Sequence, residues 1–353
     1  MRILINTPDL KLLGGVANHY MGLRRFWTEN VKYNIVGKRS AKEGSGIYWL
    51  AWDMLKFVVR LLTFRPDAIL LNPSLGASAL KRDFLFQRVA CMLGFKTALF
   101  IHGFNWDYAK VIDREWAVRN FNRASLIFVL ATAFREEMQK WGVTTPIALS
   151  TTKVDDALLE GYDVEKERNG RVRNILFLAR VEKAKGVFIA IDTYCILKEK
   201  YPHLTLTIAG DGIDLPVVKK LVKEQRIPDV LITGRVSGKE LIETYKKADL
   251  SSSPSFYMEG MPTAVLEAMA FGLPVFTRYG NNGLSDFFED GKMGYITDSL
   301  DAVDFANAMI PYIESRELTL KVSLYNAKYA REHFMASRVA QQIENEIKKH
   351  INP

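Results

Sequence analysis

Short, uninterrupted apolar runs alternate with longer amphipathic stretches along most of the chain. This is the pattern of strands buried on both faces and separated by helices. Residues 2–6 predict a first strand, then a loop over 7–15 and a helix from 16 to about 29. A short strand at 34–36 and a helix over 52–64 come next. In that helix Met54, Leu55, Val58, Val59, Leu61 and Leu62 are apolar, while Lys56 and Arg60 sit four apart on the polar face. Residues 68–71, 97–101 and 126–130 read as central strands, with helices over 84–93 and 134–141. From 151 to 173 the pattern breaks into polar and charged residues with Gly161 and Gly170, which reads as a linker. A second series follows: strand 174–179, helix 186–200, strand 204–209, helix 216–225, strand 230–233, helix 239–247, strand 250–252, helix 262–271 and strand 274–277. Residues 318–351 read as helix without strands. The expected fold is α/β, with two Rossmann-like doubly wound domains facing across a cleft. Their bounds are 1–160 and 161–334, and a helix at about 335–353 is expected to pack back on the first.

Composition narrows this picture. The 353 residues are 48% hydrophobic and 25% charged, which fits two ordinary domains and excludes a disordered or collagen-like chain. The longest uncharged stretch is 13 residues, 68–80, and contains Asn72 and Pro73. A spanning helix needs about 20 apolar residues, so no membrane crossing is expected. The N-terminus turns polar too soon for a signal peptide. Cys91 and Cys195 lie far apart, with no metal or disulfide-framework spacing, and fit a reducing cytoplasm.

Charge is unevenly divided. Residues 1–150 hold 21 Lys+Arg against 11 Asp+Glu, net +10, whereas 151–353 hold 27 against 29, net −2. A basic half suits nucleic acid, an anionic membrane or a phosphorylated ligand, and equally a plain solvated surface. The helix over 52–64, with Trp27, Trp49 and Arg24-Arg25, suggests docking on anionic lipid, a peripheral site on the inner face of the membrane. A nucleic-acid role finds no recognition motif and no aromatic–basic interleaving.

The candidate chemistry lies in loops after strands, where open α/β sheets place ligands. Arg180 ends the strand at 174–179, and Lys185-Gly186 opens the next helix. An Arg fork, a Lys point charge and a helix N-terminus suit a diphosphate; an ordinary solvated loop containing Glu182 is the alternative. The run Glu259-Gly260-Met261-Pro262-Thr263 leads into a helix that is apolar except for Thr263 and Glu267 and is bounded by Gly272. With Glu259 in the preceding loop, two carboxylates can face sugar-like hydroxyls while free N–H groups from Gly260 onward face phosphate oxygens; a structural ion pair for Glu267 is the alternative. Gly14-Gly15 after the first strand lets backbone approach an anion, or simply turns the chain into its helix. His102-Gly103 follows the strand at 97–101, at the cleft edge. No Asp-x-Asp occurs, so no carboxylate-held metal is suggested.

Taken together these motifs resemble glycosyltransferase family 4, retaining nucleotide-sugar enzymes of the two-domain GT-B fold. The carriers of the resemblance are Glu259-x7-Glu267, Arg180-x4-Lys185-Gly186 and Ala209-Gly210-Asp211-Gly212, with Gly14-Gly15 and His102-Gly103 in their usual places. The resemblance implies that Arg180 and Lys185 bind the donor diphosphate and that Glu267 holds the ribose. It implies that Glu259 holds the transferred sugar, that Gly260, Met261, Pro262 and Thr263 meet phosphates and sugar, and that Gly14 and Gly15 close over the diphosphate. His102 is expected near the reacting carbon, and Gly234, Arg235 and Val236 along the base. No metal or other cofactor is implied beyond the nucleotide sugar, and the acceptor is expected to be a glycan or a lipid-linked molecule in cell-surface polysaccharide or glycolipid synthesis. The chain departs from the family at Asp286, where Glu is usual, at Thr152-Lys153-Val154-Asp155 in place of an Asn-Gly-Val-Asp turn, and at Ala179 in place of Gly. Another GT-B activity, an epimerase or a phosphorylase, is the alternative reading.

Overall fold

The computed structural model describes residues 1–11, 14–37, 46–257, 260–280 and 282–351. The first unit runs β1 (Arg2–Thr7), α1 (Gly15–Leu23), β2 (Asn30–Ile35), α2 (Gly46–Phe64), β3 (Ala68–Leu71), α3 (Ala77–Met92), β4 (Thr97–Ile101), α4 (Trp106–Val111), α5 (Arg114–Phe121), β5 (Leu126–Val129), α6 (Thr132–Lys140) and β6 (Ile147–Leu149). The second runs α7 (Val164–Glu167), β7 (Asn174–Leu178), α8 (Val187–Lys200), β8 (Thr205–Ala209), α9 (Leu215–Glu224), β9 (Val230–Gly234) and α10 (Lys239–Lys247). It continues through β10 (Leu250–Ser253), α11 (Thr263–Ala270), β11 (Val275–Arg278), β12 (Gly294–Thr297), α12 (Ala302–Glu314), α13 (Arg316–His333) and α14 (Ala336–Ile351).

Both sheets are parallel and six-stranded, in the orders β2-β1-β3-β4-β5-β6 and β12-β11-β10-β7-β8-β9. Each order reverses once, between β1 and β3 in the first sheet and between β7 and β10 in the second. The strand ends flanking a reversal diverge and leave a crevice there. The central strands β3, β4 and β5 are buried at every residue, as their uninterrupted apolar runs require. One continuous core runs from the first sheet through Leu130, Val154 and Phe334 to Met261, Val265 and Leu266 of the second unit. A separate core fills the other face of the second sheet.

Several elements differ from the sequence pattern. The first helix stops at Leu23 rather than near 29, because the next residues bond elsewhere: the backbone N–H groups of Thr28 and Glu29 both donate to Glu344 on α14. β6, β12, α4, α5 and α12 fall where the pattern predicts nothing; three- and four-residue strands are too short to show a period. The 151–173 segment is firmly packed rather than a bare linker. Val154, Leu159 and Tyr162 join the core, and the buried Arg168 guanidinium donates to the carbonyls of Tyr245, Ala248 and Phe271 at the ends of α10 and α11.

α14 lies on the first unit. Val339, Ala340, Ile343 and Ile347 are buried, Lys348 pairs with Glu29 at 2.6 Å, and Lys96 donates to the Ile351 carbonyl at 2.7 Å. Burial of the three branched residues alone contributes on the order of 1.5–3 kcal/mol each. α2 shows a different habit. Its inner face is Phe57, Leu61 and Phe64, whereas Tyr48, Trp52, Leu55, Val59 and Leu62 line its outer face, all 46% to 67% exposed. The polar face expected around Lys56 and Arg60 is a margin of that stripe: Lys56 pairs with Asp53 and Arg60 donates to the Tyr33 carbonyl. Among the described residues no helix is long and apolar enough to cross a membrane.

Candidate active site

At the reversal points of both sheets the strand ends enclose a cavity of about 470 Å3. Larger hollows of about 700 and 710 Å3 lie against the N-terminal ends of β7, β8 and β9 and between α7 and α13, away from both crevices. The interdomain cavity brings Arg180 and Lys185 together with the N-termini of α1 and α11, which is what an anionic ligand requires.

The second unit supplies the cations. Gly186 has φ +83°, and a Cβ there would sit 2.3 Å from the Pro254 carbonyl oxygen. Only glycine makes this turn, and it brings Lys185 out of the loop after β7 and into the cavity wall, where the side chain is 5% exposed. Arg180 lies on the same wall, 53% exposed, and bonds Glu182 at 2.6 Å. Tyr257, after β10, spans the two: its ring centre lies 4.3 Å from the Lys185 ammonium and 5.2 Å from the Arg180 guanidinium. A face-on ring attracts both cations and fixes their spacing before any ligand arrives. Gly260, Met261, Pro262 and Thr263 form the opposing lip, where Pro262 caps α11 in an extended conformation and leaves the first N–H groups of the helix facing the cavity. At Gly260 a Cβ would lie 2.7 Å from the His102 carbonyl oxygen, so the two units touch there.

The first unit supplies neutral polar groups. Gly15 opens α1 at the cavity, with Gly14 immediately before it. A Cβ at either would meet nothing within 4 Å, so the missing side chains leave open space rather than relieve packing. His102 stacks on Phe100 at 4.0 Å, and its Nε2 lies 2.9 Å from Asn72 Oδ1. Asn72 Nδ2 donates to the Asn6 carbonyl, so Oδ1 accepts, from Tyr20 as well as from His102. Burial lowers the His102 pKa to about 3, so the ring is neutral. With Nε2–H committed to Asn72, its Nδ1 carries the free lone pair. His19 packs edge-on against His102 at 5.0 Å, and burial, helped by the nearby Lys153 ammonium, holds its pKa well below the usual value.

Glu267 lies one layer deeper, 8% exposed in the middle of α11, with Oε2 accepting from the Tyr245 hydroxyl at 2.9 Å. Burial pushes its carboxyl up, and the nearby Lys153 ammonium and Tyr245 bond pull it back. Glu259 lies outside the described residues. Gly234, Arg235 and Val236 stand at the end of the edge strand β9, beyond the cavity lining, with Val236 against the core. Asp286, the departure from a usual Glu, accepts the Thr132 N–H at the start of α6 at 2.7 Å and ties the two units together. Sequence reasoning missed Tyr257, Asn72, Asn18, His19 and Lys153. Tyr257 lies two residues before Glu259 and was legible as a neighbour of the motif, whereas the others are gathered only by the fold. No group of three His, Cys, Asp or Glu side chains suited to a metal ion occurs among the described residues.

Residues 162–331 match the family model of glycosyl transferases group 1. The mannosylfructose-phosphate synthase of Agrobacterium fabrum is 31% identical over 179 residues, 48% of this chain and 39% of that protein. A putative colanic acid biosynthesis glycosyltransferase of Escherichia coli is 26% identical over 226 residues, 62% of this chain and 55% of that one. The chain thus spans between about two fifths and just over half of these curated relatives' lengths. In fold it is similar over 99% of both chains to Anabaena HepE, solved with UDP and glucose, with a TM-score of 0.74 at 18% identity. The two doubly wound domains facing across a cleft are therefore a GT-B arrangement.

Proposed function

We propose that this chain is a retaining glycosyltransferase. In this reading it moves a sugar, without a metal, from a nucleoside-diphosphate sugar to a glycan or lipid-linked acceptor held by the first domain. The observation that carries the reading is the convergence of Lys185, Arg180 and the α11 N-terminus on one cavity at the crevices of both sheets. The matched family model and the relatives' names support it.

In the transfer the bond from the anomeric carbon to the diphosphate oxygen breaks and the acceptor oxygen bonds to that carbon on the same face. The acceptor's proton passes to the departing phosphate. The developing charge is on the diphosphate, so pre-placed cations contribute more than a protein nucleophile would. Arg180 and Lys185, braced by Tyr257, are those cations, and the N–H groups from Gly260 to Thr263 add to them. Gly14 and Gly15 leave room for the diphosphate to lie under α1. His102 is neutral and offers its Nδ1 lone pair to a sugar hydroxyl. Glu267 takes ribose hydroxyls, Glu259 the transferred sugar, and Gly234, Arg235 and Val236 the base. Screening nucleotide sugars for transfer and for donor hydrolysis, with and without EDTA, tests the reading. Turnover that survives the chelator is expected; isomerised donor formed without acceptor would point instead to an epimerase.

The acceptor side of this reading is membrane-borne. The outward stripe of α2 sits on the unit with a net charge of +10, and an apolar stripe beside basic residues complements an anionic lipid surface. Flotation with vesicles of phosphatidylcholine alone and with added phosphatidylglycerol is the test. Binding to the anionic vesicles is expected, and failure to float with either removes the docking surface.

A further inference from the structure

The floor of the cavity holds a charge that the mechanism above leaves idle. Lys153 comes from the segment joining the two sheets, is 4% exposed and lines the cavity. Its side chain lies across α1 at Gly22, where a Cβ would come within 2.3 Å of Lys153 Cε and 2.8 Å of its Nζ. A glycine on another element thus makes the room for a lysine at this depth. Among the described residues Lys153 makes no hydrogen bond and no ion pair. The charged and titratable groups around it are Glu267 on α11 and His19 on α1, with Tyr245 bonded to Glu267 and Asp155 adding a weaker negative charge. His19 has both ring nitrogens without a protein partner.

A buried ammonium without an acceptor is costly, and one kept in a cavity wall marks where a ligand brings acceptors. Phosphate suits this spot poorly. The Glu267 carboxylate stands near the ammonium, so the floor is close to neutral and phosphate oxygens would meet a like charge. The adjacent cations Arg180 and Lys185, with the α11 N-terminus, suit phosphate better. A vicinal diol suits the floor: each hydroxyl both donates and accepts, the carboxylate only accepts, and the ammonium only donates. A nucleoside diphosphate carries one such diol, on its ribose.

We propose that Lys153 is a specificity-determining donor-binding residue whose ammonium, with Glu267 from the facing domain, clasps the ribose diol of the nucleotide. This rests on the nucleotide-sugar reading above. Titration calorimetry of the full chain with ADP, GDP, UDP and CDP identifies the preferred nucleotide. That nucleotide is then compared with its 2′-deoxy, 3′-deoxy and monophosphate forms. Removing the hydroxyl that Lys153 serves weakens wild-type binding by about tenfold, the scale of one such bond. Lys153→Met weakens the ribonucleotide by a similar factor but leaves that deoxy form unaffected, so the two losses do not multiply. Gly22→Ala, which displaces Lys153 while keeping its charge, gives the same pattern. The diphosphate-to-monophosphate ratio stays unchanged in both variants. Equal weakening of ribo and deoxy forms overturns the proposal, as does collapse of the diphosphate-to-monophosphate ratio, which would assign the ammonium to phosphate. If no nucleoside diphosphate binds wild type, the nucleotide reading itself fails, a result seen before any variant is compared.

Discussion

The two domains share one architecture and divide the chemistry. Each is a parallel six-stranded sheet with a single reversal, and each turns that reversal toward the same cavity. The second domain brings Arg180, Lys185 and a helix N-terminus, charges and dipoles aimed at an anion. The first brings two neutral histidines, two glycines and an asparagine network. Yet residues 1–150 are the basic part of the chain, at +10 against −2 for 151–353. Net charge therefore does not locate the cations that line the cavity. On the first domain α2 presents an apolar stripe to solvent, while Arg180 and Lys185, the cations lining the cavity, sit in the near-neutral half, Lys185 held there by the glycine turn at Gly186.

The largest effect that would test this division is on transfer. Lys185→Ala should lower kcat by about 100- to 1,000-fold, the cost of removing one pre-placed group that meets developing charge. A steady-state assay showing near-wild-type turnover would break the contrast between the domains. Gly186→Ala should come next. Forcing a side chain into a left-handed turn against the Pro254 carbonyl should cost about 1–3 kcal/mol, read as a lower urea midpoint.

The first domain should reveal itself through pH. Burial lowers the folded pKa of both His19 and His102, the latter to about 3. Below the ordinary value of about 6.5 the unfolded chain takes up protons that the native state refuses. Stability is therefore complete above that pH and falls as pH drops toward the folded values, by at most about 1.4 kcal/mol per unit for each histidine. Urea unfolding of His19→Phe between pH 4 and 7 should show a shallower slope than wild type. The smallest stability effect is expected on α2. Trp52→Glu with Leu55→Glu should change the unfolding free energy by no more than about 0.5 kcal/mol each while abolishing flotation with anionic vesicles. A large loss of stability would mean that the stripe packs against protein.

Much of this was legible before folding. The central strands, the α11 helix with its bounding Pro262 and Gly272, and the Arg180–Lys185 pair could be read because their signals are local: an apolar run, a cap, a short spacing. The short β6 and β12 could not, since three or four residues carry no period. The α2 helix was legible but its outer face was not. Leu55, Val59 and Leu62 look like core residues in sequence, and only the position of the sheet shows that Phe57, Leu61 and Phe64 have taken that role. The end of the first helix was decided by Glu344, more than 300 residues away.

The sequence by itself determined the fold class and the chemical character of the second domain's loops, because each depends on residues close in the chain. The tertiary structure alone decided which side chains share a cavity. It set Lys153 beside Glu267, capped α6 with Asp286 and left His102 neutral with one free lone pair. These depend on burial and on distances between elements that no spacing along the chain encodes.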